Sequence, residues 1–135
     1  MIKKEKKILI IKNELSSVWE LTSLLKSYGF RVFEVTGERK GLKFVLDNHP
    51  DLILIDIFIP KTDGMAVLKK LRTDSWGKDV PVIILSNLSD TETVATALEN
   101  KVYIFLVRSN CNLADVAIKI KEKLSVTSGN GAFSY

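Results

Sequence analysis

Five short apolar runs punctuate the chain, at Ile8 to Ile11, Val32 to Val35, Leu52 to Ile57, Val80 to Leu85 and Val102 to Val107. They are continuous and rich in Ile and Val, which predicts buried strands. The intervening stretches follow a different period. Apolar residues recur at helical spacing through Leu15, Val18, Leu21, Leu25 and Tyr28, then Leu42, Val45 and Leu46, then Met65, Leu68 and Leu71, then Val94, Ala97 and Leu98, and finally Val116, Ile120 and Leu124. These stretches predict amphipathic helices. Strand and helix alternate five times, the pattern of an α/β doubly wound parallel sheet covered on both faces, because each crossover helix packs back onto the sheet.

The turn residues agree with this division. Tyr28-Gly29 closes the first helix, and His49-Pro50 closes the second, since proline disfavours helix in the residue before it. Ser89 and Glu92 have the spacing of a capping box at the start of the fourth helix. His49 is placed to serve the last carbonyls of its helix, and Trp19 and Trp76 read as partial core or loop anchors. From Ser125 to Tyr135 the residues are mostly small and polar. Such a segment buries too little surface to hold a structure. The expected organisation is a basic arm at 1–6, one domain at 7–124 and a disordered tail at 125–135.

Composition narrows the class. At 135 residues with 46% hydrophobic positions, one core needs no disulfide or structural metal. Cys111 is the single cysteine, which excludes a disulfide scaffold and fits a reducing cytoplasm. No apolar run approaches the ~20 residues of a membrane span. The formal net charge of +4 is concentrated in Lys3, Lys4, Lys6 and Lys7, without the interleaved aromatics of a nucleic-acid face. Neither nucleic acid nor membrane is an expected partner.

In an open parallel sheet, ligands sit beyond the carboxyl ends of the strands. That edge would gather Lys12, Asn13 and Glu14 after the first strand, Asp56 at the third, Ser86 and Asn87 after the fourth, and Arg108 and Ser109 after the fifth. A carboxylate, a hydroxyl and two cations there suit a phosphoryl group.

The segments Lys7-Ile-Leu-Ile-Ile-Lys-Asn-Glu14, Asp51-Leu-Ile-Leu-Ile-Asp-Ile-Phe-Ile-Pro-Lys-Thr-Asp-Gly-Met65, Val80-Pro-Val-Ile-Ile-Leu-Ser86 and Phe105-Leu-Val-Arg108 resemble the receiver domains of bacterial response regulators. The resemblance covers about Lys6 to Leu124. It implies a flavodoxin-like sheet in the order 2-1-3-4-5 with five helices. It also implies Asp56 as phosphoacceptor, Ser86 as the hydroxyl that follows the phosphoryl group, Phe105 as the aromatic switch residue, and Arg108 at a position normally held by lysine. In the family, Mg²⁺ is held by two acids after the first strand, by the acceptor and by a backbone carbonyl. The positions here are Lys12, Asn13, Asp56 and Phe58.

Two of those positions depart from the pattern. Lys12 replaces an acid with an ammonium and Asn13 removes a second charge, so Mg²⁺ is expected to be weakly bound or absent. Lys12 is expected to pair with Asp56 and hold the domain in one state. The alternative is a Lys12 that points to solvent. Ser109 replaces the proline that follows a cis peptide in the family, so a trans link and a remodelled loop around Arg108 to Cys111 are expected. Phe105 lacks a phenolic hydroxyl and keeps only the packing role.

The function implied is a stand-alone, non-enzymatic signalling module of a two-component phosphorelay. Its partners would be a histidine kinase or phosphotransfer protein, and a downstream protein or a second copy in a homodimer on the 91–124 face. One rival is a conventional Mg²⁺-dependent receiver phosphorylated on Asp56, with Glu14 rescuing the metal. A second is a flavodoxin-like flavin binder, with a phosphate loop at Asn13 to Ser17 and stacking by Trp76.

Overall fold

The computed structural model describes residues 5–12, 17–57, 62–86, 91–108 and 111–125. In chain order the elements are β1 (Lys7–Lys12), α1 (Trp19–Ser27), β2 (Arg31–Thr36), α2 (Glu38–Asn48), β3 (Leu52–Ile57), α3 (Thr62–Arg72), β4 (Val82–Ser86), α4 (Thr91–Glu99), β5 (Ile104–Val107) and α5 (Leu113–Ser125). The strands form one parallel sheet in the order β2-β1-β3-β4-β5. This is the doubly wound, flavodoxin-like arrangement, with the order reversing beside β1.

Alternation along each strand divides the core in two. Ile8, Ile10, Leu52, Leu54, Ile83 and Leu85 pack against Val18, Leu21 and Leu25 of the α1 side and Val116, Ala117 and Ile120 of α5. On the other face Leu9, Ile11, Ile53, Ile55, Val82 and Ile84 meet Val45 of α2 and Met65, Leu68 and Leu71 of α3. Every residue of β3 and β4 is buried. The expectation of five buried strands fails for β2 and β5, whose residues are half-buried or exposed. Both lie at the edges of the sheet, where only one neighbour covers the strand. The fourth and fifth strands also begin later than their apolar runs, at Val82 and Ile104.

Helix ends follow local chemistry. Tyr28 caps α1, and Gly29 follows at φ +95°. His49 ends α2 in a left-handed conformation, and its backbone N–H donates to the Val45 carbonyl. Its ring does not serve the carbonyls of the last turn; it stacks on Trp76, with centroids 4.3 Å apart. Trp76 thus anchors the α3–β4 connection. Trp19, the first residue of α1, is instead 69% exposed, so it is not the partial core residue that was one of the two roles expected of it. Helix α5 runs one residue past the anticipated domain end, to Ser125. Ser89, Ser109 and the tail from 126 onward lie outside the described residues, as do the expectations made for them.

Candidate functional site

The carboxyl edge of the sheet brings together Lys12, Asp56, Ser86 and Arg108, from β1, β3, β4 and the residue after β5. Asn13, Glu14 and Phe58 lie outside the described residues. Asp56 ends up at this edge because the strand alternation that buries Leu52 and Leu54 on the α1/α5 face carries it to the same face one step on. Its side chain is 0% exposed. The Arg108 guanidinium donates to Asp56 Oδ2 at 2.5 Å. Asp56 Oδ1 and Arg108 Nε are both buried with no hydrogen-bond partner among the described residues. Ser86 is buried at the end of β4, in register with Ile57 and Val107. Phe105 is half-buried and packs against the core on the α2/α3 face.

Lys12 departs from expectation. It neither pairs with Asp56 nor extends to solvent alone; its ammonium lies 2.9 Å from Glu34 Oε1 on β2. The Thr22 hydroxyl of α1 donates to the other Glu34 oxygen at 2.5 Å. Burial pushes the Glu34 carboxyl up, but the Thr22 hydrogen bond and the Lys12 ammonium, helped by Lys26, outweigh it and hold the group below the usual glutamate range. The physical reason for the exchange of partners is competition. Asp56 already has a guanidinium, which is delocalised and less strongly hydrated than an ammonium, so Lys12 takes the other carboxylate within reach.

Sequence reasoning missed both Glu34 and Thr22. The available signal was the single carboxylate inside the apolar run Val32 to Val35, which the alternation of β2 turns toward α1. The Arg108–Asp56 bond was equally unforeseen, although both residues had been assigned to one edge.

Cys111 lies beside this edge, with its thiol 3.8 Å from the Arg108 carbonyl. Burial pushes the Cys111 thiol up, against the opposing charge of Arg108, so it has none of the thiolate character of a nucleophile. A flavin site has no geometric support. Trp76 precedes β4 and so lies at the amino edge of the sheet, opposite the segment that follows β1, and its ring is already stacked on His49. Among the described residues, no helix is long and apolar enough to cross a membrane.

Comparison with known proteins agrees with this geometry. The sequence profile of the response regulator receiver domain matches residues 8–117. The chain is 36% identical over 95 residues to the probable transcriptional regulator ycf27 of Porphyridium aerugineum, covering 70% of this chain and 38% of that protein. It is 29% identical over 111 residues to the probable C4-dicarboxylate response regulator DctR of Bacillus subtilis, covering 80% of this chain and 48% of that protein. The chain thus spans less than half the length of these curated relatives. Among solved structures, the signal receiver domain of a signal transduction histidine kinase from Syntrophus aciditrophicus superposes with a TM-score of 0.77 at 27% identity, covering 96% of this chain and 98% of that one.

The fold, the edge site and these matches define a receiver module of two-component signalling. The chain belongs to the response regulator receiver domain family. Receiver domains are signalling modules that interact with histidine kinases or phosphotransfer proteins, and they typically bind Mg²⁺ for phosphorylation.

Proposed function

We propose that this receiver relays its signal through protein contacts, with phosphoryl chemistry at Asp56 silenced by Arg108. Asp56 keeps the phosphoacceptor position, Ser86 and Arg108 flank it, Phe105 is the packing switch, and Lys12, Asn13 and Glu14 form an altered acidic pocket. The observation that carries this reading is the Arg108–Asp56 ion pair.

Attack by a carboxylate on a phosphoryl group brings two anions together, and a divalent ion ordinarily neutralises the oxygens involved. Here the charge of Asp56 is already matched, one of its oxygens is engaged, and the side chain is buried. The guanidinium stabilises the ground state of the nucleophile. The donor set does not fit Mg²⁺. Of the residues in family ligand positions, Asp56 alone is a carboxylate, Asn13 and the Phe58 carbonyl are neutral, and Lys12 is a cation. Mg²⁺ takes hard, mostly anionic oxygen ligands, and a cation beside its position repels it.

The downstream contact surface is the 91–124 face, which would bind a protein partner or a second copy in a homodimer. Leu98 on α4 at 66%, Tyr103 before β5 at 44% and Ile118 on α5 at 44% exposure support this, because large exposed apolar side chains are common anchors of an interface. The Lys123 ammonium lies over the Tyr103 ring at 4.5 Å, adding a cation to that face.

A second reading, a Mg²⁺-dependent receiver phosphorylated on Asp56, draws on one observation: Glu34 offsets the charge of Lys12, which removes part of the repulsion a metal would meet. Titration of the protein with Mg²⁺, followed by backbone amide chemical shifts, separates the two. The expected result is no saturable shift at residues 12, 56 and 86 at millimolar Mg²⁺. Saturable binding centred on Asp56 overturns the proposal.

A further inference from the structure

Four charged side chains lie on the α1/α5 face at or just behind the carboxyl edge: Lys12 on β1, Asp56 on β3 and Arg108 directly after β5, with Glu34 on β2 two residues back, in register with Ile10. Their signs alternate, and they are joined in two pairs, Glu34 with Lys12 and Asp56 with Arg108. Lys12 stands between the two carboxylates. Continuing the β1–β3 register by one residue beyond Ile11↔Ile55 sets Lys12 beside Asp56. Neighbouring strands are about 4.8 Å apart, a separation that the four-carbon stem of a lysine can span. Asp56 Oδ1 is left without a partner among the described residues, so an acceptor remains on that carboxylate.

We propose that Lys12 is a two-position cation, parked on Glu34 while Arg108 neutralises Asp56 and transferred to Asp56 when Arg108 withdraws, so that Glu34 is the positioning residue that keeps the lysine out of the pocket. The inference rests on the reading of the Arg108–Asp56 pair as the resting arrangement.

Burial decides the direction of the exchange. With both pairs intact, moving Lys12 would place two cations on one carboxylate and leave Glu34 without its ion pair. Once Arg108 withdraws, the balance reverses. The Asp56 side chain is 0% exposed and the Glu34 side chain 28%. A buried carboxylate without a cation is far more costly than a partly exposed one that can hydrate. Glu34 also keeps the Thr22 hydroxyl, so leaving it is the cheaper of the two losses. The exchange would report an event at β5 to the corner of β2 and α1, across the width of the sheet.

Double-mutant cycles in urea denaturation of the full chain test this, with neither metal nor phosphodonor present. With Arg108 in place, Lys12→Met and Glu34→Gln are expected to be non-additive, and Lys12→Met and Asp56→Asn additive. With Arg108→Met the couplings should exchange: the Lys12 and Asp56 changes become coupled by about fivefold or more in the folding constant, and the Lys12 and Glu34 coupling falls toward none. Arg108→Gln, which keeps a donor but no charge, serves as a second background should Arg108→Met fail to fold. Additive Lys12 and Asp56 changes in the charge-free background overturn the inference. Phosphoryl labelling of Asp56 would overturn the functional reading above and leave these couplings untouched, so the two failures are distinguishable.

Discussion

Arg108 and Asp56 are bonded across β4: the guanidinium, one residue past β5, reaches over the intervening strand to the carboxylate near the end of β3. Two strand spacings, about 9.6 Å, separate the strands that carry them. A side chain with the length and donor geometry of arginine is suited to close that gap. The pair joins the edge strand β5 to the centre of the sheet, and it places a fixed cation on the acceptor position.

Removing that cation strips a fully buried carboxylate of its guanidinium, and the transfer of Lys12 proposed above offsets only part of the loss because it gives up the Glu34 pair. Arg108→Met is therefore expected to destabilise the domain by about 3 kcal/mol, toward the lower part of the range for breaking a buried pair because Arg108 is itself a quarter exposed. Combining it with Asp56→Asn should restore most of the loss, since the remaining group is neutral. Urea denaturation of the two single variants and the double variant measures this. Single-variant losses that simply add in the double variant would mean that the ion pair contributes nothing.

The second pair has a pH signature. The folded-state pKa of Glu34 is below its ordinary value of 4.5, so the unfolded state binds its proton first as the pH falls. Its contribution to stability is present above about pH 4.5 and is lost as the pH drops through the lower folded value. Glu34→Gln should thus lower stability at neutral pH and flatten the acid limb of the stability profile. Urea midpoints for both proteins between pH 3 and 7 should converge at the acid end. A gap that stays constant over that range would contradict the Thr22–Glu34–Lys12 arrangement.

The α/β alternation was legible in the sequence because strand and helix periods are local signals, the sheet order was implied by the resemblance to receiver domains, and the places of Lys12, Asp56, Ser86 and Arg108 at the carboxyl edge followed from the strand ends. The pairing within that edge was not. Lys12 has two carboxylates in reach, and which one it takes depends on whether Arg108, separated from Asp56 by 52 positions, has already neutralised the other. The exposure of β2 and β5 was hidden for a similar reason, since an Ile/Val run does not declare whether one neighbour or two will flank it. His49 was placed correctly at its helix end, but its stacking on Trp76 depends on the path of the α3–β4 connection.

Arg72 provides a structural prediction away from the site. From the last turn of α3 its guanidinium donates to the carbonyls of Gly77, Val80, Asn100 and Lys101 at 2.7–2.9 Å. Burial lowers its pKa, partly offset by Asp79, and it remains a cation that ties the α3–β4 and α4–β5 connections together. Arg72→Met, which strands several carbonyls, is expected to cost about 3 kcal/mol. Amide exchange should rise at Asn100 to Tyr103, where the α4–β5 connection would loosen. Arg72→Lys should recover only part of the loss, because one ammonium cannot reproduce the forked donors.

Gly77 is constrained in the same connection. A Cβ there would sit 2.5 Å from the Leu71 carbonyl oxygen, while its N–H donates to Asp74. Gly77→Ala is expected to cost about 1–3 kcal/mol by displacing backbone, read as a fall in the thermal midpoint. An unchanged midpoint would contradict the close packing of this turn.

The most direct test of the Arg108–Asp56 account is the intact mass of the protein after incubation with acetyl phosphate and millimolar Mg²⁺, alongside Arg108→Lys under the same conditions. The account expects no phosphoryl adduct on the native chain and, because Lys12 and Asn13 still disfavour the metal, at most a small gain in the variant, whose shorter ammonium leaves the carboxylate freer. Stoichiometric labelling of native Asp56 would contradict it.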